Sequence, residues 1–136
     1  MKVFISYVSK DEALATKVVE SLEDAGLDAW YKKREIMPGD NWAEKVATGL
    51  KDSNAMVVLM TPDALESDAV QSTISYALSE PAFSRRLIPV FVGDSADSLT
   101  DKMPWIFKHL RTFKLSADGQ NEEQFKQIAQ ALKDAA

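Results

Sequence analysis

Two stretches of this chain are apolar almost without a break: Ala55-Met56-Val57-Val58-Leu59-Met60 and Leu87-Ile88-Pro89-Val90-Phe91-Val92. Each falls far short of the roughly 20 apolar residues that cross a bilayer. A strand with one wet face alternates polar and apolar residues, whereas a strand covered on both faces reads as a continuous apolar run. The two runs therefore predict central strands of a parallel sheet with helices on either side.

The rest of the pattern agrees. Val3–Tyr7, Leu27–Tyr31 and Leu110–Leu115 read as further strands. Helical spacing runs over Lys10–Ala25 on Ala13, Leu14, Val18, Leu22 and Ala25, and over Trp42–Asp52 with Trp42, Val46, Ala47 and Leu50 inward. It recurs over Leu65–Leu78 and, on Phe125, Ile128, Ala129 and Leu132, over Asn121–Lys133. Ser9 with Glu12 predicts a capping box, Gly26 a helix stop, and Asp40 or Asn41 the cap of the second helix. Lys32–Asn41 reads as a loop turning at Pro38-Gly39-Asp40, Gly93–Asp101 as another loop, and Met103–His109 has no distinct period. The expected fold is a three-layer α/β sandwich forming one domain over residues 1–136, its five-stranded parallel sheet in the order 2-1-3-4-5. Its ligand crevice should lie beyond the C-terminal ends of strands 1 and 3.

Composition removes several function classes. The chain has no cysteine, which excludes a disulfide scaffold, a Cys-ligated metal centre and a thiolate nucleophile. One histidine, His109, rules out a His-rich metal site. The carboxylates Asp52, Asp63, Glu66, Asp68 and Glu80 have no metal-loop spacing, so no metal is expected. A net charge of −5 argues against general nucleic-acid binding. Glycine-built phosphate cradles and the GxSxG elbow are missing. Strand 1 ends in Ser6-Tyr7-Val8-Ser9, which lacks the acidic cluster of a phospho-receiver domain. With no targeting segment or membrane span in view, the cytoplasm is the expected location.

Two places carry candidate chemistry. The hydroxyls of Ser6, Tyr7 and Ser9 suit a sugar or phosphate, although capping alone would explain Ser9. The Lys32–Asn41 loop is long for a strand-to-helix connection, and its basic start with apolar Ile36 and Met37 suits a partner. In the competing reading the cations are merely solvated and Ile36 and Met37 fold onto the core. Trp30, Trp42 and Trp105 are expected in the core, and Arg85-Arg86 in a solvated loop.

The segments Val3-Phe4-Ile5-Ser6-Tyr7, Met37-Pro38-Gly39-Asp40-Asn41-Trp42, Val57-Val58-Leu59-Met60-Thr61-Pro62 and Leu87-Ile88-Pro89-Val90-Phe91-Val92 occur in this order. With Ser67 and Ile74-Ser75-Tyr76-Ala77-Leu78, they resemble the Toll/interleukin-1 receptor (TIR) domain family, in its bacterial form, over nearly the whole chain. That family has a flavodoxin-like fold, which agrees with the sheet order already read.

The resemblance implies two activities. Many TIR domains self-associate or bind other TIR domains through the loop after strand 2, here Lys33, Arg34, Glu35, Ile36, Met37, Pro38, Gly39 and Asp40. Others cleave or cyclise nicotinamide adenine dinucleotide (NAD), using a glutamate six residues after the serine that corresponds to Ser67. That position is Thr73 here, and two neighbouring pocket positions also depart from the family's pattern, at Ala69 and Lys32. Glu66 and Glu80 lie roughly 10 Å from Thr73 along a helix, too far to stand in for the missing carboxylate, and Glu35 could reach only by loop closure. The expectation is a signalling or assembly module that takes no cofactor and has no catalytic residue of the ordinary kind. If a nucleotide pocket is retained, Ser6, Tyr7, Trp42, Ser67 and Thr73 should line it. The alternative is an NAD-cleaving or NAD-cyclising enzyme, or a nucleotide sensor, with an altered site.

Overall fold

Strand β3 (Ala55–Met60) lies in the middle of the sheet, and every one of its side chains is fully buried. In the computed structural model, residues 1–83, 85–93, 105, 109–116 and 121–135 are described. Five parallel strands take the order β2-β1-β3-β4-β5, as the sequence predicts, with β1 at Lys2–Ser6, β2 at Asp28–Trp30, β4 at Leu87–Val92 and β5 at Phe113–Leu115.

Alternation along the strands sorts their side chains between two cores. Val3, Ile5, Ala55, Val57, Leu59, Ile88 and Val90 face helices α1 (Glu12–Asp24) and α6 (Glu122–Asp134). Phe4, Met56, Val58, Met60, Leu87 and Phe91 face α3 (Trp42–Asp52) and α5 (Asp68–Ser79). Apolar runs in the sequence are thus strands sandwiched between two helical layers.

Pro89 sits inside β4 with no N–H to give. The Met56 N–H bonds the Arg86 carbonyl, so residues 86 and 88 serve β3 and Pro89 points its nitrogen the other way. On that side pairing starts only at Val90–Phe113, and no ladder bond is lost.

Local signals decide several ends. Gly26, at φ +89°, closes α1: its N–H bonds the Glu23 carbonyl and that of Leu27 bonds Leu22. Asn41 caps α3 by accepting from the Glu44 N–H.

Other expectations change. The first helix starts as a 3-10 turn over Ser9–Asp11 without a side-chain cap, and α1 buries Ala15 and Val19 with Val18 and Leu22 while Ala13 stays exposed. Ala47 is exposed because it lies off the face that Val46, Gly49 and Leu50 turn to the sheet; Trp42 shares that face but stands on the first turn of α3, at the mouth of a cleft, and is 47% exposed. Leu65–Leu78 is two helices, α4 (Pro62–Leu65) and α5, separated where Ser67 leaves helical geometry. Lys32–Glu35 forms one helical turn, α2. Trp105 is 72% exposed, against the expectation of a core position, and its ring meets His109 edge-on. The rest of Met103–His109 and most of Gly93–Asp101 lie outside the described residues.

Candidate functional site

The C-terminal end of β1 is built from residues that its neighbours hold from three sides. Ser6 is the last residue of the strand and is buried. Its Oγ lies 2.7 Å from Thr73 Oγ1 on α5, and Thr73 Oγ1 lies 2.7 Å from the Val70 carbonyl. A carbonyl only accepts, so the single Thr73 hydroxyl hydrogen goes to Val70 and Ser6 donates to Thr73. Ser67 stands at the head of the same helix, where its Oγ accepts from the Val70 N–H.

Ser6, Tyr7, Trp42 and Thr73 line one cleft of about 40 Å³. That space admits a few water-sized groups. The expected crevice therefore exists, but it opens over β1 and β2, with Trp30 and Lys32 in its wall, and no β3 residue lines it. Ser67 does not line it either, because the side chain faces its own helix terminus. Among the described residues around the cleft there is no carboxylate; the charged group there is Lys32. Glu35, Glu66 and Glu80 all stand outside it.

Lys32 is fixed by the strand end. Its Nζ donates to the Tyr7 carbonyl and to Ser9 Oγ, each at 3.2 Å, and lies 4.6 Å over the Tyr7 ring. Burial pulls its pKa below the ordinary lysine value, with Glu12 opposing. The Ser9 hydroxyl thus receives a distant ammonium, whereas the sequence suggested a helix cap. Lys32 and Trp42 also border a second, open cavity of about 380 Å³ that Ser9, Glu12 and Lys33 line.

Tyr7 is 4% exposed, and its Oη has no hydrogen-bond partner. Burial pushes the phenol up to about 12; the Lys33 backbone N–H, near the oxygen but without hydrogen-bond geometry, opposes the shift only in part. Trp30 stacks on Phe4 at 4.7 Å between ring centroids, with planes 9° apart. Gly49 allows that stack to sit against α3: a Cβ there would lie 2.5 Å from the Trp30 ring.

The following loop is ordered by its own turn. Pro38 and Gly39, the latter at φ +92°, occupy the centre of a type II turn closed by the Asp40 N–H on the Met37 carbonyl. The Asp40 carboxylate accepts in return from the Met37 N–H at 2.8 Å. The two competing readings of the loop each hold in part: Ile36 packs against the core, while Met37 is 56% exposed. Arg34 pairs with Glu23 and Lys45 approaches Asp40 at 3.9 Å.

Sequence reasoning did not place Trp30, Val46 or Val70 at the cleft, and it treated Lys32 only as a departure from a family pattern. Position just past the end of β2 was the available signal for Lys32. No group of three or more metal-ligating side chains occurs among the described residues. No helix among them is long and apolar enough to cross a membrane.

Comparison with known proteins gives a consistent picture. Residues 3–132 match the family model described as TIR domain. The chain is 30% identical over 66 residues to the 2' cyclic ADP-D-ribose synthase AbTIR of Acinetobacter baumannii (strain 1295743), a match covering 48% of this chain and 24% of that protein. It is 29% identical over 66 residues to the 2' cyclic ADP-D-ribose synthase BtTIR of Bacteroides thetaiotaomicron, covering 48% and 23%. The matches thus span about a quarter of those relatives' length. Among solved structures, the TIR domain of the Toll-related receptor TRR-2 from Hydra magnipapillata superposes with a TM-score of 0.73 at 22% identity, covering 96% of this chain and 97% of that one. A TIR-STING receptor from C. gigas, solved in complex with 2',3'-cGAMP, gives 0.73 at 23% identity, covering 93% and 38%. At these identities the likeness is one of fold.

Proposed function

The chain belongs to the TIR domain family, and on that premise we propose that it is a signalling or assembly module, acting by contact with other TIR domains, its own copies included, without ordinary NAD hydrolysis. The observation that carries this reading is the charge of the cleft. Breaking the glycosidic bond of NAD builds positive charge on the ribose, and a carboxylate beside it stabilises that charge. Here, among the described residues, no carboxylate lines the cleft and the Lys32 ammonium does. A cation near developing positive charge raises the barrier. Thr73 offers a neutral hydroxyl whose hydrogen already serves Val70. Neither a cofactor nor a metal enters this reading, and a cysteine-free chain suits the reducing cytoplasm.

Contact falls to the turn after β2. Met37 and Pro38 are exposed on a turn closed by two hydrogen bonds, so little ordering entropy is lost when a partner covers them. Ile36 supports the turn from beneath. Met37→Asp should weaken self-association in light scattering by about tenfold, the effect of losing one central apolar contact, while Thr48→Ala, at an exposed position of α3, should not. Equal behaviour of the two variants removes this surface.

The enzymatic reading has two findings in its favour. Glu12 borders the larger cavity beside the cleft, within electrostatic reach of Lys32, and the relatives named above are 2' cyclic ADP-D-ribose synthases. Incubation of concentrated protein with NAD separates the two. The assembly reading expects no nicotinamide release, and release that a Thr73→Val change abolishes overturns it. Thr73→Glu is the companion variant: a gain of activity shows that the remaining pocket lacks only the acid.

A further inference from the structure

We propose that the Arg34–Glu23 pair is a clasp that holds the Lys32–Asn41 turn in its contact-ready form, so that Arg34 is a positioning residue and Lys33 is the cation the loop offers a partner. The inference rests on the loop-contact reading and deepens it.

The three successive cations of the loop have different fates. Lys32 is tied inward to the Tyr7 carbonyl and Ser9. Arg34 places both terminal guanidinium nitrogens on Glu23, Nη1 to Oε2 at 2.8 Å and Nη2 to Oε1 at 2.9 Å, and its Cζ lies 5.3 Å over the Tyr31 ring. Such fork-to-fork pairing fixes direction as well as distance. Its charge is answered within the chain: Arg34 holds the Glu23 carboxyl below the usual carboxylate range. The Lys33 side chain is exposed and makes no hydrogen bond or ion pair among the described residues.

Nothing on its own helix turn answers the Glu23 charge. The residue lies in the last turn of α1, where the helix dipole disfavours an acid, and that turn holds no basic residue. Asp24 shares that turn, and of the two acids it is Glu23 that meets a cation among the described residues. The anchor is also firm. Leu22, next to Glu23, is 1% exposed, and Val18 and Val19 fix α1 to the sheet. On the loop side, the Ile36 N–H bonds the Lys32 carbonyl, so the clasped α2 turn leads directly into Met37.

Amide hydrogen exchange at Ile36, Met37 and Asp40 tests the clasp without requiring assembly. Arg34→Gln and Glu23→Gln should each speed exchange there by about two- to five-fold, the range of a half-exposed bidentate pair. The exchanged pair, Glu23→Arg with Arg34→Glu, should return it toward the original rate. Lys33→Gln should leave exchange unchanged and weaken self-association. The clasp is refuted if neither single variant changes exchange, or if the exchanged pair is as fast as the singles while its far-ultraviolet spectrum and melting point show it folded. A protein that never self-associates refutes the contact reading alone, since the exchange result stands by itself. Lys33→Gln that leaves association intact removes Lys33 from the proposal.

Discussion

Replacing Gly49→Ala puts a methyl group where the Trp30 indole already lies. The added Cβ would sit 2.5, 2.7 and 2.9 Å from Cε2, Cδ2 and Nε1 of the ring, far inside van der Waals contact. Trp30 has little room to retreat, being 5% exposed and stacked on Phe4, itself 3% exposed. Overpacking of this kind costs about 1–3 kcal/mol, and a contact with a rigid ring belongs at the upper end. Alanine returns up to about 1 kcal/mol as a better helix former than glycine. The net expectation is a loss of about 1–2 kcal/mol, or a melting point lower by roughly 5 °C for a chain of this size. Urea unfolding followed by circular dichroism measures it, with Thr48→Ala on the exposed side of the same helix as the control for propensity. Because Trp30 forms part of the cleft wall, its fluorescence should shift as well. If Gly49→Ala instead stabilises by about the propensity difference, the ring moves freely and the argument for a tightly packed cleft wall fails.

Other tests address single groups. Tyr7→Phe removes a buried hydroxyl that has no partner, so stability at neutral pH should stay level or rise by about 1 kcal/mol, read by urea unfolding. The phenol's folded value of about 12 lies above its ordinary 10.0, so the original protein loses stability as pH rises from 10 to 12, and the phenylalanine variant lacks that part of the loss. Ser67→Ala should cost about 1 kcal/mol as the loss of a cap and leave any nucleotide affinity, measured by calorimetry, unaltered. Gly39→Ala puts a Cβ on a residue at φ +92°, and the strained turn should exchange its Asp40 amide faster.

Much of the architecture was written in short-range pattern. Apolar runs without alternation announced β3 and β4, Gly26 and Asn41 marked helix ends, and Pro38-Gly39-Asp40 marked the turn. These are decided by residues three or four apart, through backbone freedom and local hydrogen bonds, and so they can be read one window at a time. The candidate site was legible only in part. Ser6, Tyr7, Trp42 and Thr73 do meet, while Ser67 turns away to cap α5.

What the amino-acid order determined by itself was the five strands and their order in the sheet, the long helices, and the absence of thiol chemistry; the short turn α2 and the break between α4 and α5 were not in it. Tertiary structure decided where the charges and hydroxyls ended up. Ser9 receives Lys32 across 23 positions of chain, Ser6 meets Thr73 across 67, and Arg34 finds Glu23 on another element. Long polar side chains bond whatever donor or acceptor the packed backbone brings within about 3 Å, and that neighbour is set by the sheet's crossovers, which no local window contains.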